Sequence, residues 1–356
     1  MRILFLSSFV EKSHNGAAIY AQLFIKWAKS KGHQLDVISI ERNPEFIQIQ
    51  EPSTNIPILY HKKLSKKIYE EITKLDYVAY DLIYFNNIIE ASHTLKKLSH
   101  PNIQGFLHDS QYMNDVYPYQ SFKRKIFRNA LKRIERKAIN VLQKIHTNSE
   151  QMKFQIHSVY KSPLVKIEYL YFSSLDLFPK EKVKSEFYTI LFIKTNYVSG
   201  GLYTLLNACN KLPFSTKVIA VGPDEKHHSE IKSAFPKLTI NLHSYKSRSD
   251  INTLFAETDV FITPAFTEPM GIGNLEAMSM DVPVIGNSVE GVKEIGEKSK
   301  AILLFNKNDS SDLAEKILQL KDDKKLKRSL IENGRLFIKK HLEEKTIFKK
   351  YDQLFS

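Results

Sequence analysis

The sequence predicts an α/β protein of two domains, each built on a doubly wound parallel sheet. Three observations carry this. Short apolar runs alternate with stretches of helical periodicity, starting at residue 2. The runs are apolar throughout, as in strands covered on both faces. At 356 residues the chain exceeds what one core serves, and the strand–helix plan restarts after residue 185.

Arg2 to Ser7 is the first strand. A polar loop from Ser8 to Asn15 ends at Gly16-Ala17-Ala18, and a helix follows with Tyr20, Leu23, Phe24 and Trp27 at helical spacing, stopping near Gly32. Leu35 to Ile40 is the second strand, completing a β-α-β unit with a glycine at its turn. The turn lacks a G-x-G-x-x-G fingerprint, so it does not predict a dinucleotide oxidoreductase. The glycine either lets the backbone approach a ligand or simply makes a tight turn. Asp81 to Phe85, Gln104 to Ser110, Ile145 to Ser149 and Ile167 to Tyr171 continue the strand set, with polar clusters at Asn86-Asn87 and His108-Asp109-Ser110.

Ser121 to Lys144 reads as one long helix. Phe122, Ile126, Phe127, Ala130, Leu131, Ile134, Ala138, Val141 and Leu142 share one face, and Lys and Arg cover the rest. Two readings fit: contact with an anionic bilayer, or a core-packed helix with a solvated basic face.

The sequence turns polar and irregular from Ser173 to Ser185, which places the domain boundary there. Tyr188 to Ile193 is the next strand. Lys194, a polar loop, Gly200-Gly201 and a helix through Leu202, Leu206 and Cys209 follow. Thr216 to Gly222, Leu238 to Leu242 and Asp259 to Pro264 are further strands, and a helical stretch from about Ile331 to Phe355 ends the chain.

Apolar content of 42% and charged content of 26% are globular values. The single cysteine, Cys209, excludes an internal disulfide and fits a reducing compartment. It sits on an apolar helix face as a packing residue. Met1 to Leu6 is too short for a secretory leader, and no run of 18 apolar residues exists, so a cytoplasmic protein is expected. Of the net charge of +13, residues 1–173 carry +10 and the remainder +3. The first half therefore faces or tolerates something anionic: phospholipid headgroups, an acidic glycan or lipid diphosphate, or nucleic acid. Its basic helix lacks the aromatic interleaving of a base-stacking platform, so no specific nucleic-acid partner is expected.

The richest stretch is Thr267 to Met278. It follows the strand ending at Pro264 and leads into a run of good helix formers, Leu275 to Met280, so a loop with two glycines connects a strand to a helix. Ligands of α/β proteins sit at such strand ends, and a helix start favours an anion. Glu268 and Glu276 lie eight residues apart, on the loop and in the first helical turn. Paired carboxylates suit the vicinal hydroxyls of a sugar or ribose. A solvated loop glutamate and a glutamate favoured by the helix dipole would share that spacing.

Phe266 to Met278, then Val282-Pro283-Val284-Ile285 and Glu290-Gly291-Val292-Lys293-Glu294-Ile295, resembles the donor-site signature of retaining glycosyltransferases of the GT-B fold, most closely family 4. The resemblance implies two Rossmann-like domains facing a cleft. Residues 1–173, with the C-terminal helix at about 340–356, would bind the acceptor, and residues 174–339 the nucleotide-sugar. It implies that Glu276 binds the ribose and Glu268 the donor sugar, with His108 near the reacting carbon. Gly16, Lys194, Tyr245, Lys246 and the segment Met270, Gly271, Ile272, Gly273, Asn274 and Leu275 would complete the donor site. The implied enzyme is a retaining, metal-independent hexosyltransferase without a cofactor, releasing UDP or GDP. Its acceptor would be a glycan or lipid-linked glycan of cell-surface polysaccharide assembly, reached peripherally at the inner face of the plasma membrane through residues 121–144. Such relatives usually carry an arginine after the strand matching Ile190–Ile193 and a lysine before the next glycine. Thr195 and Gly200 stand there, Lys194 being one residue from the arginine position, and Asp281 stands where glycine is common. These departures keep a second reading open: an inactive GT-B scaffold or partner subunit of a transferase.

Overall fold

A computed structural model describes the whole chain except residues 12–15, 93–96, 111–121, 174–178, 180, 184 and 356; at 57 and 122–125 it describes the backbone alone. The chain divides into two units, Met1–Tyr171 with Ile347–Ser356, and Phe172–Thr346. Both are Rossmann-like α/β structures, as the alternating pattern predicts.

The first unit holds a seven-stranded sheet of β1 (Arg2–Leu6), β2 (Gln34–Ser39), β3 (Phe46–Gln48), β4 (Leu82–Phe85), β5 (Ile103–Leu107), β6 (Lys144–Thr147) and β7 (Ile167–Tyr169), in the order β3-β2-β1-β4-β5-β6-β7. Its pairings are parallel, with Leu4 opposite Asp36 on one side and Ile83 on the other. Helices α1 (Gly16–Ser30), α2 (Pro57–Ile72), α3 (Phe122–Val141) and α4 (Glu150–Tyr160) connect the strands. The strand predicted over 104–110 stops at Leu107, and Ser149, predicted to end a strand, caps α4 by accepting from the Met152 N–H.

α3 differs from its predicted face. Ala138 and, just beyond the helix end, Leu142 are buried as predicted, but so are Lys132, Glu135 and Ile139, while Ile126, Phe127 and Val141 are exposed. The Tyr160 hydroxyl donates to Glu135, so a satisfied polar residue takes a position the apolar pattern assigned to solvent.

The second unit's strands are β8 (Tyr188–Ile193), β9 (Thr216–Val221), β10 (Thr239–His243), β11 (Val260–Thr263), β12 (Val284–Asn287) and β13 (Ile302–Phe305), in the parallel order β10-β9-β8-β11-β12-β13. Helices α5 (Leu202–Cys209), α6 (His228–Ala234), α7 (Arg248–Glu257), α8 (Ile272–Ser279), α9 (Glu290–Ser299), α10 (Ser310–Asp322) and α11 (Lys324–His341) belong to this unit. Cys209 is buried, and burial pushes its thiol up to about 12, which suits packing rather than chemistry. Asp281 adopts φ +57, a region where glycine is favoured, and Arg335 holds its carboxylate with two bonds of 2.6 and 2.7 Å.

The predicted terminal helix is two. α11 ends at His341, and α12 (Glu344–Phe355) starts beyond Leu342 and Glu343 and packs its Tyr351 and Phe355 into the first unit's aromatic core. Among the described residues, no helix is long and apolar enough to cross a membrane.

Candidate active site

In each sheet the strand order reverses once, between β1 and β4 and between β8 and β11. Ligands of open α/β sheets bind beyond the carboxyl ends of strands at such switch points. In the second unit, Lys194 follows β8 and the Glu268 loop follows β11.

The loop is held by its neighbours. Gly271 caps α8 at φ +81, and a Cβ there would lie 2.6 Å from Asn274 Nδ2. The start of α9 grips the loop backbone: Gly291 N–H donates to Glu268 O at 3.1 Å, and Glu268 N–H donates to Glu290 Oε2 at 2.6 Å. Gly291 has no room for a side chain, since a Cβ would stand 2.0 Å from Pro269 O. Burial raises the Glu290 carboxyl above its ordinary range, partly offset by that bond from the Glu268 amide.

The helix start offers donors. Of the predicted amides from Met270 to Asn274, that of Asn274 is engaged, donating to Gly271 O at 2.9 Å, and Leu275 N–H reaches the same oxygen at 3.4 Å. The first amides of a helix have no acceptor inside it, which leaves those of Ile272 and Gly273. The Asn274 side chain is fully buried. Its Oδ1 accepts from Thr263 Oγ1, while its Nδ2 has no partner and lies against Gly271. A buried donor left unsatisfied at a helix start fits an anion.

Both glutamates carry cations. Lys194 Nζ donates to Glu268 Oε2. Arg248 Nη1 lies 2.8 Å from Glu276 Oε1, with both side chains largely buried. Glu276 sits in the second turn of α8 rather than the first, because the helix starts at Ile272. Arg248 was not among the predicted residues. Ser247 and Asp250 form a capping box that fixes it as the first residue of α7. That box is legible in the sequence; the partner 28 residues away (276 − 248) is not. Tyr245 and Lys246 line a groove of about 510 Å³ with Glu225, His228, Leu242 and His243, at the ends of β9 and β10 and directly before α7.

The other two predicted residues, Gly16 and His108, belong to the first unit. Gly16 begins α1, and His108 follows β5. Asn86, after β4, donates through Nδ2 to Ser7 Oγ at 2.9 Å and to Ala17 O at 2.8 Å, so its Oδ1 faces His108 Nε2 at 3.0 Å. His108 therefore carries its proton on Nε2. Its ring keeps some surface but packs on Phe106 and Tyr20, and this desolvation pushes its pKa down to about 3.

Nearby, Ser8 Oγ donates to the buried Glu90 at 2.5 Å, and burial pushes that carboxyl up to about 7 against the Ser8 bonds. The fold thus retains a proton that the unfolded chain releases near 4.5. This contribution to stability is full below about 4.5 and is lost as pH rises to about 7, reaching on the order of 3 kcal/mol. Glu90→Gln is expected to melt higher than the parent at pH 8, by several degrees, with the gain gone at pH 4.5. Thermal melts across that range check it, and a pH-independent difference would contradict the assignment. His108 and His146, both pushed down to about 3 by burial, act in the opposite sense but are common to both proteins.

Among the described residues, no group of three or more His, Cys, Asp and Glu is placed to hold a metal ion.

Residues 174–337 match the family model of glycosyl transferases group 1. An uncharacterised glycosyltransferase of Methanocaldococcus jannaschii is 31% identical over 170 residues, 46% of this chain and 48% of that one. The lipopolysaccharide glucosyltransferase WaaG of Escherichia coli is 27% identical over 199 residues, 53% of this chain and 52% of that one. The chain thus spans about half the length of these curated relatives. Sucrose-phosphate synthase from Thermosynechococcus elongatus superposes with a TM-score of 0.84 at 18% identity, covering 100% of this chain and 98% of that structure. Residues 174–337 thus resemble a group 1 glycosyl transferase domain, and the chain as a whole has the GT-B fold.

Proposed function

We propose that this protein is a retaining glycosyltransferase of family 4, moving a hexosyl-type sugar from a nucleotide-diphospho-sugar to a glycan or lipid-linked glycan in cell-surface polysaccharide assembly. The observation that carries the proposal is the pair of buried glutamates on one strand–loop–helix unit, each against its own cation, flanking a helix start with an unsatisfied buried donor. Ordered along the second unit, the groove at Tyr245 and Lys246 takes the base, Glu276 the ribose, the α8 amides and Asn274 Nδ2 the diphosphate, and Glu268 the sugar. Negative charge grows on the diphosphate as the sugar leaves. Lys194 and the α8 donors meet that charge, so the proposed transfer requires no resident metal or cofactor. In the first unit Gly16 stands against the donor phosphates or the acceptor, and His108 stands near the reacting carbon as a neutral imidazole.

Incubation with a panel of UDP- and GDP-sugars tests the proposal by release of the nucleoside diphosphate. Gly200, at the position where the family this chain resembles is expected to carry lysine, favours the second reading, an inactive scaffold supporting a partner transferase. Nucleotide binding without turnover in the same assay would select it.

We further propose peripheral contact with the inner face of the plasma membrane. α3 presents Ile126, Phe127 and Val141 to solvent beside the exposed Arg133, Arg136 and Lys137. An apolar stripe flanked by basic side chains suits an anionic interface. In flotation assays the protein is expected to rise with vesicles containing anionic phospholipid and to stay behind with neutral ones. Indifference to lipid charge would remove the claim.

A further inference from the structure

We propose that Arg248 is a positioning residue that holds Glu276 ready for the ribose and thereby sets selectivity for ribonucleotides over 2′-deoxyribonucleotides; this rests on the nucleotide-sugar reading of the same site. Glu276 comes from the buried second turn of α8, where its backbone has little freedom. Its carboxylate is still joined to the helix by three rotatable bonds. Arg248 Nη1 at 2.8 Å from Oε1 restricts them. The arginine is itself anchored, because Ser247 Oγ accepts from Asp250 N–H at 3.2 Å and Asp250 Oδ2 accepts from Ser247 N–H at 3.1 Å, fixing the first turn of α7. The first turn of α7 and the second turn of α8 thus meet at one charge pair. Arg248 also lies two residues beyond Lys246 of the groove, so the pair stands where base and ribose join.

A carboxylate with a fixed plane accepts two hydroxyls of fixed separation at little entropic cost. When one hydroxyl is missing, a fixed carboxylate cannot turn to compensate, and a buried acceptor stays unsatisfied. A carboxylate free to rotate repacks around the single remaining hydroxyl and discriminates less. Selectivity therefore depends on the arginine even though the ribose touches the glutamate.

The test is calorimetric titration of the full chain with UDP and GDP and their 2′-deoxy counterparts. The parent is expected to bind the preferred ribonucleotide at least tenfold tighter than its deoxy form. Arg248→Ala is expected to weaken ribonucleotide binding about tenfold or more and to bring the ribo-to-deoxy ratio within about threefold. Arg248→Lys, which keeps the charge, is expected to recover part of that ratio, and melting temperatures show that both variants fold. A ratio unchanged in Arg248→Ala, or a parent that does not discriminate, overturns the inference while leaving the nucleotide-sugar reading standing. A parent that binds neither nucleotide overturns both.

Discussion

Tyr351→Ala is expected to destabilise the first unit by about 3–5 kcal/mol, the usual range for removing a fully buried aromatic ring. Tyr351 lies on α12, the last helix, and is completely buried. Its ring sits 5.4 Å from Trp27, 5.8 Å from Tyr20 and 5.9 Å from Phe24, all on α1. Phe355 extends the cluster to Tyr84 at 5.1 Å and to His146 at 5.0 Å. The polar ties of α12 are weaker. Trp27 Nε1 donates to Asp352 at 2.9 Å and Lys31 pairs with the same carboxylate at 2.7 Å, where exposure screens the charge. Tyr351→Phe, which keeps the ring and removes a buried hydroxyl that meets no partner at hydrogen-bond geometry, is expected to lie within about 1 kcal/mol of the parent. Urea unfolding of both variants checks the pair. Equal costs would mean that the hydroxyl, not the ring, holds the helix.

The aromatic cluster also shows what a sequence discloses. Tyr20, Phe24 and Trp27 stand at helical spacing, so the buried face of α1 was legible from residue type alone. β1, β8 and β11 were legible because parallel strands covered on both faces need unbroken apolar runs. β3 and α2 went unplaced. β3 is three residues of partial burial, whereas α2 carries a readable stripe of Leu64, Ile68 and Ile72, four residues apart, among its lysines and glutamates. The face of α3 was misread in part because its buried stripe includes Lys132 and Glu135, and a bond to Glu135 from Tyr160, 25 residues along the chain, is not written in the local pattern. At the candidate site, Gly271, Gly273, Glu268 and Glu276 were visible as a local pattern. Arg248 was not, and Glu290 stood in the signature without a role, because their partners come from other strand–helix units and no local periodicity encodes those contacts.

That difference bears on Glu268, for which Glu268→Gln is expected to lower turnover about 10²–10³-fold, the scale seen when one group stabilising transition-state charge is lost. Gln keeps the shape and the backbone bonds to Glu290 and Gly291, which involve only main-chain atoms of residue 268. It removes the charge that Lys194 meets and that a developing oxocarbenium ion needs. Nucleoside diphosphate affinity is expected to change by less than about threefold, since the proposed nucleoside contacts lie at Glu276 and the groove. Lys194→Met separates the roles further. It leaves Glu268 charged while removing a cation from the diphosphate, so affinity is expected to fall by about 1.5–3 kcal/mol, or about ten- to 150-fold. Glu268→Gln keeps a polar partner for the partly exposed Lys194, whereas Lys194→Met leaves a largely buried carboxylate without its cation, so melting temperatures of both variants are measured beside the affinities. Steady-state rates beside calorimetric nucleotide affinities distinguish the outcomes. Turnover preserved in Glu268→Gln would remove the carboxylate from the chemistry. Affinity lost in step with turnover would make Glu268 a partner that shapes the loop rather than one that faces the sugar.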